Sequence, residues 1–153
     1  MILSKFEVED VKKKFEFLEH TADAYIAAYG KDLAEAFENA ALAMFETMTD
    51  TAKVEPKIEE EIEVEGFDEQ SLLYNWLESL IVKFEMTGNL YSRFKISSIE
   101  KAGDELRLRA KIWGEPFNPK KHSQKVGIKA VTYHMMEVNR EPGKVTVKFL
   151  LDL

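Results

Sequence analysis

Two aspartates in this chain stand where an acid does little for folding and much for cation binding. Asp152 is the one carboxylate in the apolar run Val145-Thr146-Val147-Lys148-Phe149-Leu150-Leu151-Asp152-Leu153 that closes the sequence. Asp23 ends Glu19-His20-Thr21-Ala22-Asp23, a polar turn between two short alternating apolar runs. A carboxylate among apolar residues is costly unless paired. Two brought together, with the terminal carboxylate beside them, offer the oxygens that a hard cation takes. The two are expected to meet. The alternative is that Asp23 caps a turn and Asp152 merely solubilises a frayed end.

Polar residues also interrupt apolar ones in Lys129-Ala130-Val131-Thr132-Tyr133-His134. Read as a strand, this segment puts Lys129 and Tyr133 on one face and Thr132 and His134 on the other. Taken singly, each has a plainer reading. Lys129 can snorkel to solvent, Tyr133 can be a core aromatic with a wet hydroxyl, and His20 or His134 can be a hydrogen-bonded structural residue. Familiar catalytic signatures are missing: there is no Walker sequence, no G-x-G-x-x-G, no nucleophile elbow, and no histidine pair at zinc-ligand spacing. A metal-dependent hydrolase using Asp23 and Asp152, with His20 or His134 as base, is a possible third reading but has little beyond the acids to support it.

The elements that must position these residues follow from length and pattern. At 153 residues, 45% hydrophobic and 11% aromatic, the chain fits one domain, 1–153, with a real core. No cysteine is present, so disulfides, thiolate ligands and cysteine nucleophiles are excluded. No stretch approaches the roughly 20 apolar residues of a membrane span, and 1–14 is charged throughout, so a cytoplasmic protein is expected. The net charge of -7 argues against general nucleic-acid binding. Phosphate contact through the basic run Lys120, Lys121, His122, Lys125 and Lys129 is the exception, with a solvated loop as the alternative.

Strands are expected near 15–17 and 24–29, then a helix over 33–47 capped by Asp32, with Leu33, Phe37, Ala40, Ala41, Met44 and Phe45 on one buried face. Ile58, Ile62 and Val64 alternate with glutamates and read as the half-exposed edge of a sheet. Asp68 caps a second helix over 69–87, ended by Gly88. Strands at 90–99, 106–113, 126–138 and 145–153 complete the chain. The order is ββαβα followed by a four-strand meander, an α+β fold with two helices on a largely antiparallel sheet.

In combination, these segments resemble the archease family. The resemblance rests on Phe-Leu-Glu-His-Thr-Ala-Asp at 17–23, the Ala-rich helix ending Met44-Phe45, Leu-Leu-Tyr-Asn-Trp-Leu at 72–77, Ile-Lys-Ala-Val-Thr-Tyr-His at 128–134 and the closing Asp-Leu. One departure is Gly127, where family members often carry a glutamate, so no acid role transfers to that position. The resemblance implies a non-catalytic accessory protein that activates an RtcB-type tRNA-splicing ligase by promoting its guanylylation and multiple turnover. A chaperone role toward RNA-modifying enzymes such as tRNA methyltransferases is the alternative. It further implies calcium, or a similar divalent ion such as magnesium or manganese, on Asp23, Asp152 and Leu153, the last through main-chain or terminal oxygen. His20, Lys129, Tyr133 and His134 are then the expected contacts to partner or phosphate, and direct tRNA contact through Lys120, Lys121, Lys125 and Lys129 is expected to be weak given the overall acidity.

Overall fold

The computed structural model describes residues 13–18 and 23–153. Among them, two helices and seven strands follow one another in the expected order: β1 (Phe15–Leu18), β2 (Ala24–Gly30), α1 (Leu33–Met48), β3 (Ile58–Gly66), α2 (Glu69–Thr87), β4 (Asn89–Ala102), β5 (Glu105–Pro116), β6 (Ala130–Glu141) and β7 (Lys144–Asp152). Both helix starts use the expected aspartates. Asp32 accepts the Glu35 N–H at 2.9 Å, and Asp68 accepts the Ser71 N–H at 2.7 Å within a reciprocal capping box. Gly88 ends α2 at φ 75°, in the left-handed region that costs glycine nothing.

The strands form two antiparallel sheets, β1-β2-β7-β6 and β3-β5-β4. The four closing strands therefore do not run as one meander. They are two hairpins, β4-β5 and β6-β7, placed in different sheets, and the connection between them crosses the molecule. Leu108, Ala110 and Ile112 of β5 are buried while Arg109 and Lys111 are exposed, as the alternation requires. Glu59, Glu61, Glu63 and Glu65 line the open edge of β3, where salt bridges tie Glu63 and Glu65 to Arg107 and Glu59 to Lys111.

The helices cover one face of the sheets. Phe37, Phe45, Leu72, Trp76, Leu77 and Leu80 are fully buried with Val147, Phe149 and Leu151 of β7 in one hydrophobic cluster. Trp76 buries its ring and satisfies its N–H on the Phe37 carbonyl at 2.9 Å, which ties α2 to α1.

A strand over 126–138 is not what forms. β6 begins only at Ala130, and 117–129 is a loop with its own anchors. Its backbone hydrogen-bonding groups go elsewhere than to a sheet ladder: Lys125 N–H donates to the Met48 carbonyl at 2.9 Å, and His122 N–H to that of Asn118 at 2.7 Å.

Candidate functional site

Strand register decides where the two aspartates lie. β2 and β7 are antiparallel with Ala24 opposite Leu151, Ile26 opposite Phe149 and Gly30 opposite Val145. Asp23 precedes Ala24 and Asp152 follows Leu151, so the same register continued by one step sets Asp23 against Asp152. On the other side of β7, Asp152 is opposite Ala130, and the Lys129 N–H donates to the Asp152 carbonyl oxygen at 2.7 Å. The three segments singled out in the sequence thus converge at one end of the four-stranded sheet. Leu151 and Phe149 turn into the core, so Asp152, next in the alternation, faces away from it and is exposed.

Leu153 is half-buried and packs against the core, next to Asp152 at the same sheet end. His20 falls outside the described residues, with Glu19, Thr21 and Ala22. Lys129 reaches the site through its backbone, while its side chain is exposed.

Tyr133 and His134 depart from the expected alternation. β6 pairs regularly with β7 up to Thr132 opposite Leu150, and then resumes only at Glu137 opposite Lys148. Five steps on one strand match two on the other, so Tyr133, His134, Met135 and Met136 form a bulge and cannot alternate strictly. Met135 sits at φ 61°, and the Tyr25 hydroxyl reaches its carbonyl oxygen at 3.5 Å. Tyr133 stacks on Tyr74 of α2, with centroids 4.4 Å apart and planes within 4°. Burial, followed by the negative charges of Asp68 and Glu78, raises the Tyr133 pKa. His134 is exposed on the bulge.

Could the site hold a cation? Among the described residues no three His, Asp or Glu side chains converge as a metal site, so a cation at this sheet end would have two aspartates as side-chain ligands and would need main-chain oxygen or water to complete its shell. The hydroxyl of Thr132, two residues from Ala130 on the same face of the sheet, is buried with no hydrogen-bond partner. By donor chemistry, two carboxylates at one sheet end suit a hard divalent ion.

The basic loop is less available than its sequence suggests. Lys121 pairs with Glu55 and, at 2.8 Å, with Glu115; Lys125 pairs with Glu46 at 2.8 Å; and His122 is buried. His122 Nδ1 accepts the Asn118 N–H at 2.9 Å, which leaves the ring proton on Nε2, 3.0 Å from Glu115. Both ring nitrogens are used within the fold, so this pair anchors the loop rather than offering an acid or base. Burial alone would raise the Glu115 pKa. The Glu55 N–H, Lys121 and His122 outweigh that and hold it down to about 2. Nothing in the sequence marks Glu115 as buried, because it lies at the very end of its strand.

A cleft of about 1070 Å³ lies at the opposite end of β2 and β7, lined by Lys14, Lys31, Arg93 and Lys144 together with Glu16, Glu35 and Glu38. It contains none of the residues singled out above.

Fold and site together define a small α+β protein in which two helices cover a pair of antiparallel sheets and two aspartates lie at the same sheet end. The chain belongs to the archease family: the Archease protein family (MTH1598/TM1083) matches residues 15–153. It is 48% identical over 141 residues to "Protein archease" of Sulfurisphaera tokodaii, covering 92% of this chain and 99% of that protein. Against "Protein archease" of Sulfolobus acidocaldarius it is 47% identical over 140 residues, again covering 92% and 99%. The solution structure of Methanobacterium thermoautotrophicum protein 1598 superposes with a TM-score of 0.81 at 45% identity, over 92% of this chain and 99% of that one. A Thermotoga maritima archease, described as a possible chaperone, shares the fold at 21% identity and a TM-score of 0.54, over 90% of this chain and 96% of its own.

Proposed function

We propose that this protein is a non-catalytic accessory factor that activates an RtcB-type tRNA-splicing ligase, promoting guanylylation of the ligase and its repeated turnover. The observation that carries the reading is the strand register that sets Asp23 against Asp152 with Lys129 bonded alongside, in a chain of the archease family. Asp23, Asp152 and an oxygen of Leu153 would hold calcium, or magnesium or manganese, at about 2.3–2.6 Å for calcium. The ion would supply fixed positive charge and bridge the sheet end to a partner's anionic groups. The chain's own residues do the rest: the β2–β7 ladder fixes the spacing of the carboxylates, the Lys129 N–H holds the last strand in place, and the exposed Lys129 side chain offers a point charge for phosphate. Tyr133 and His134, carried outward by the bulge, form the adjoining contact surface.

Guanylylation of the purified ligase, followed with wild-type protein and with Asp23→Ala and Asp152→Ala, tests the reading. Loss of stimulation by either variant is expected; full stimulation by both overturns it. A chaperone or specificity modulator for tRNA methyltransferases is the second reading, favoured by the description of the Thermotoga maritima relative as a possible chaperone. Recovery of a methyltransferase and no ligase in a pull-down would select it.

A further inference from the structure

The cleft of about 1070 Å³ at the far end of β2 and β7 lies between the two sheets. Its floor is the outer face of α1, one wall is the end of β2 beside Lys144, and the other is β4 at 92–94. The fold fixes its shape. The Asn39 side-chain N–H donates to the Tyr29 carbonyl oxygen at 2.7 Å, and Gly30 brings β2 so close to α1 that a Cβ there would meet the Ala36 nitrogen at 2.3 Å. On the other wall the Ile96 N–H donates to the Glu38 carboxylate at 2.8 Å, which ties β4 to α1.

These contacts use the acids of the cleft and leave its bases open. Glu16 accepts from the Lys13 ammonium at 2.9 Å and from the Tyr29 hydroxyl at 3.0 Å, and Glu35 accepts the Lys31 N–H at 2.8 Å. Glu38 is half-buried against β4, and burial raises its pKa. Lys14, Lys31, Arg93 and Lys144 are exposed and have no carboxylate within ion-pair distance among the described residues. Two of them rest on aromatic rings instead. The Lys144 ammonium lies 5.2 Å from the Tyr29 ring centroid, and the Arg93 guanidinium 5.0 Å from that of Trp113. A ring holds a cation in place without neutralising it. Lys121, Lys125 and Arg140, by contrast, are each paired with a glutamate. In a chain of net charge -7, the cleft is a place where positive charge is left for a ligand.

An acidic peptide would need apolar anchors as well, and the lining offers little beyond Leu42 and Phe94, the latter only 8% exposed. A phosphodiester strand needs spaced cations and room. The volume stands at the upper limit of small-molecule sites and suits a few nucleotides of one strand.

We propose that this cleft binds a single nucleic-acid strand by its phosphates, held by Lys14, Lys31, Arg93 and Lys144. The site is separate from the two aspartates and does not depend on the ligase reading. The overall acidity keeps the affinity low and confines binding to low salt.

Fluorescence anisotropy of a labelled oligouridylate with the intact protein is the test. With about three phosphates contacted, affinity should fall about a hundredfold between about 20 and about 200 mM salt. Lys31→Gln and Lys144→Gln should each weaken binding about fivefold at the lower salt and flatten the log–log salt slope by about 0.7. Lys101→Gln, on the β4–β5 hairpin, should change neither, and all three variants should keep the wild-type thermal midpoint. Oligothymidylate of the same length should bind within about threefold, because the cations read phosphate and not the 2′-hydroxyl. No binding at the lower salt, or equal binding by polyglutamate of the same charge, overturns the proposal. So does a loss caused by Lys120→Gln and by neither cleft variant, or a preference of more than about tenfold between the two oligonucleotides.

Discussion

The Lys129 N–H donates to the Asp152 carbonyl oxygen at 2.7 Å, one residue before β6 begins and at the last residue of β7. This bond carries the β6–β7 ladder to its outer limit, so the acid near the chain end is paired by β6, one residue beyond the last β2–β7 pair, Ala24 opposite Leu151. An aspartate that composition alone would leave on a fraying end is instead fixed at the rim of a four-stranded sheet.

If Asp23 and Asp152 share a cation, the cation must stabilise the folded protein, because the unfolded chain does not hold the two acids together. With calcium at a hundredfold excess over its Kd the gain is about 2.7 kcal/mol. The midpoint of thermal unfolding should rise on adding calcium and fall back with chelator. The same titration on Asp152→Ala should give no shift, and a shift as large as wild type would remove Asp152 from the ligand set.

Glu115 contributes to the acid limb of stability, alongside other carboxyls that their partners hold low. Its folded pKa of about 2 lies below the ordinary 4.5, so the folded state binds the proton less readily than the unfolded one. The stabilisation is fully present above pH 4.5 and is lost as the pH falls toward 2. Glu115→Ala, which strands His122 Nε2–H without its acceptor, should cost about 3 kcal/mol at pH 7 by urea unfolding and flatten the pH dependence between 4.5 and 2.

Gly114 is where β5 and β4 approach too closely for a side chain. A Cβ built there would lie 1.8 Å from the Leu90 carbonyl oxygen. Gly114→Ala must push the two strands apart, and a loss of about 3 kcal/mol is expected in denaturant unfolding. A loss of under about 0.5 kcal/mol, the range of ordinary surface substitutions, would mean that the pairing yields easily.

The bulge carries strain that glycine would relieve. Met135 holds φ 61° with its side chain 44% exposed, a conformation costing about 1 kcal/mol in a residue with a Cβ. Met135→Gly should therefore leave stability unchanged or raise it by about 0.5 kcal/mol, the relief being partly offset by the entropy of the unfolded glycine. Under the proposed function, Tyr133→Ala, which breaks the stack on Tyr74, should weaken ligase stimulation more than stability, by comparison of guanylylation rate with thermal midpoint.

Periodicity determined most of the fold. Alternating residues in β3 and β5, the single apolar faces of α1 and α2, and Asp32, Asp68 and Gly88 at the helix ends are local signals, because each reports a backbone preference within a few residues of itself. The same signals nominated Asp23 and Asp152 as acids out of place. Pairing across the chain was another matter. That β4-β5 and β6-β7 separate into two sheets, that β6 starts at Ala130 and bulges after Thr132, and that Glu115 and His122 are buried together all depend on which distant segments share a core. Lys121 and Lys125 look like a free basic patch in sequence, yet Lys121 is held by Glu115 and by the distant Glu55, and Lys125 by the distant Glu46. A sequence states what each residue prefers; only the packed chain sets which strand lies beside which, and so which charges are left for a partner.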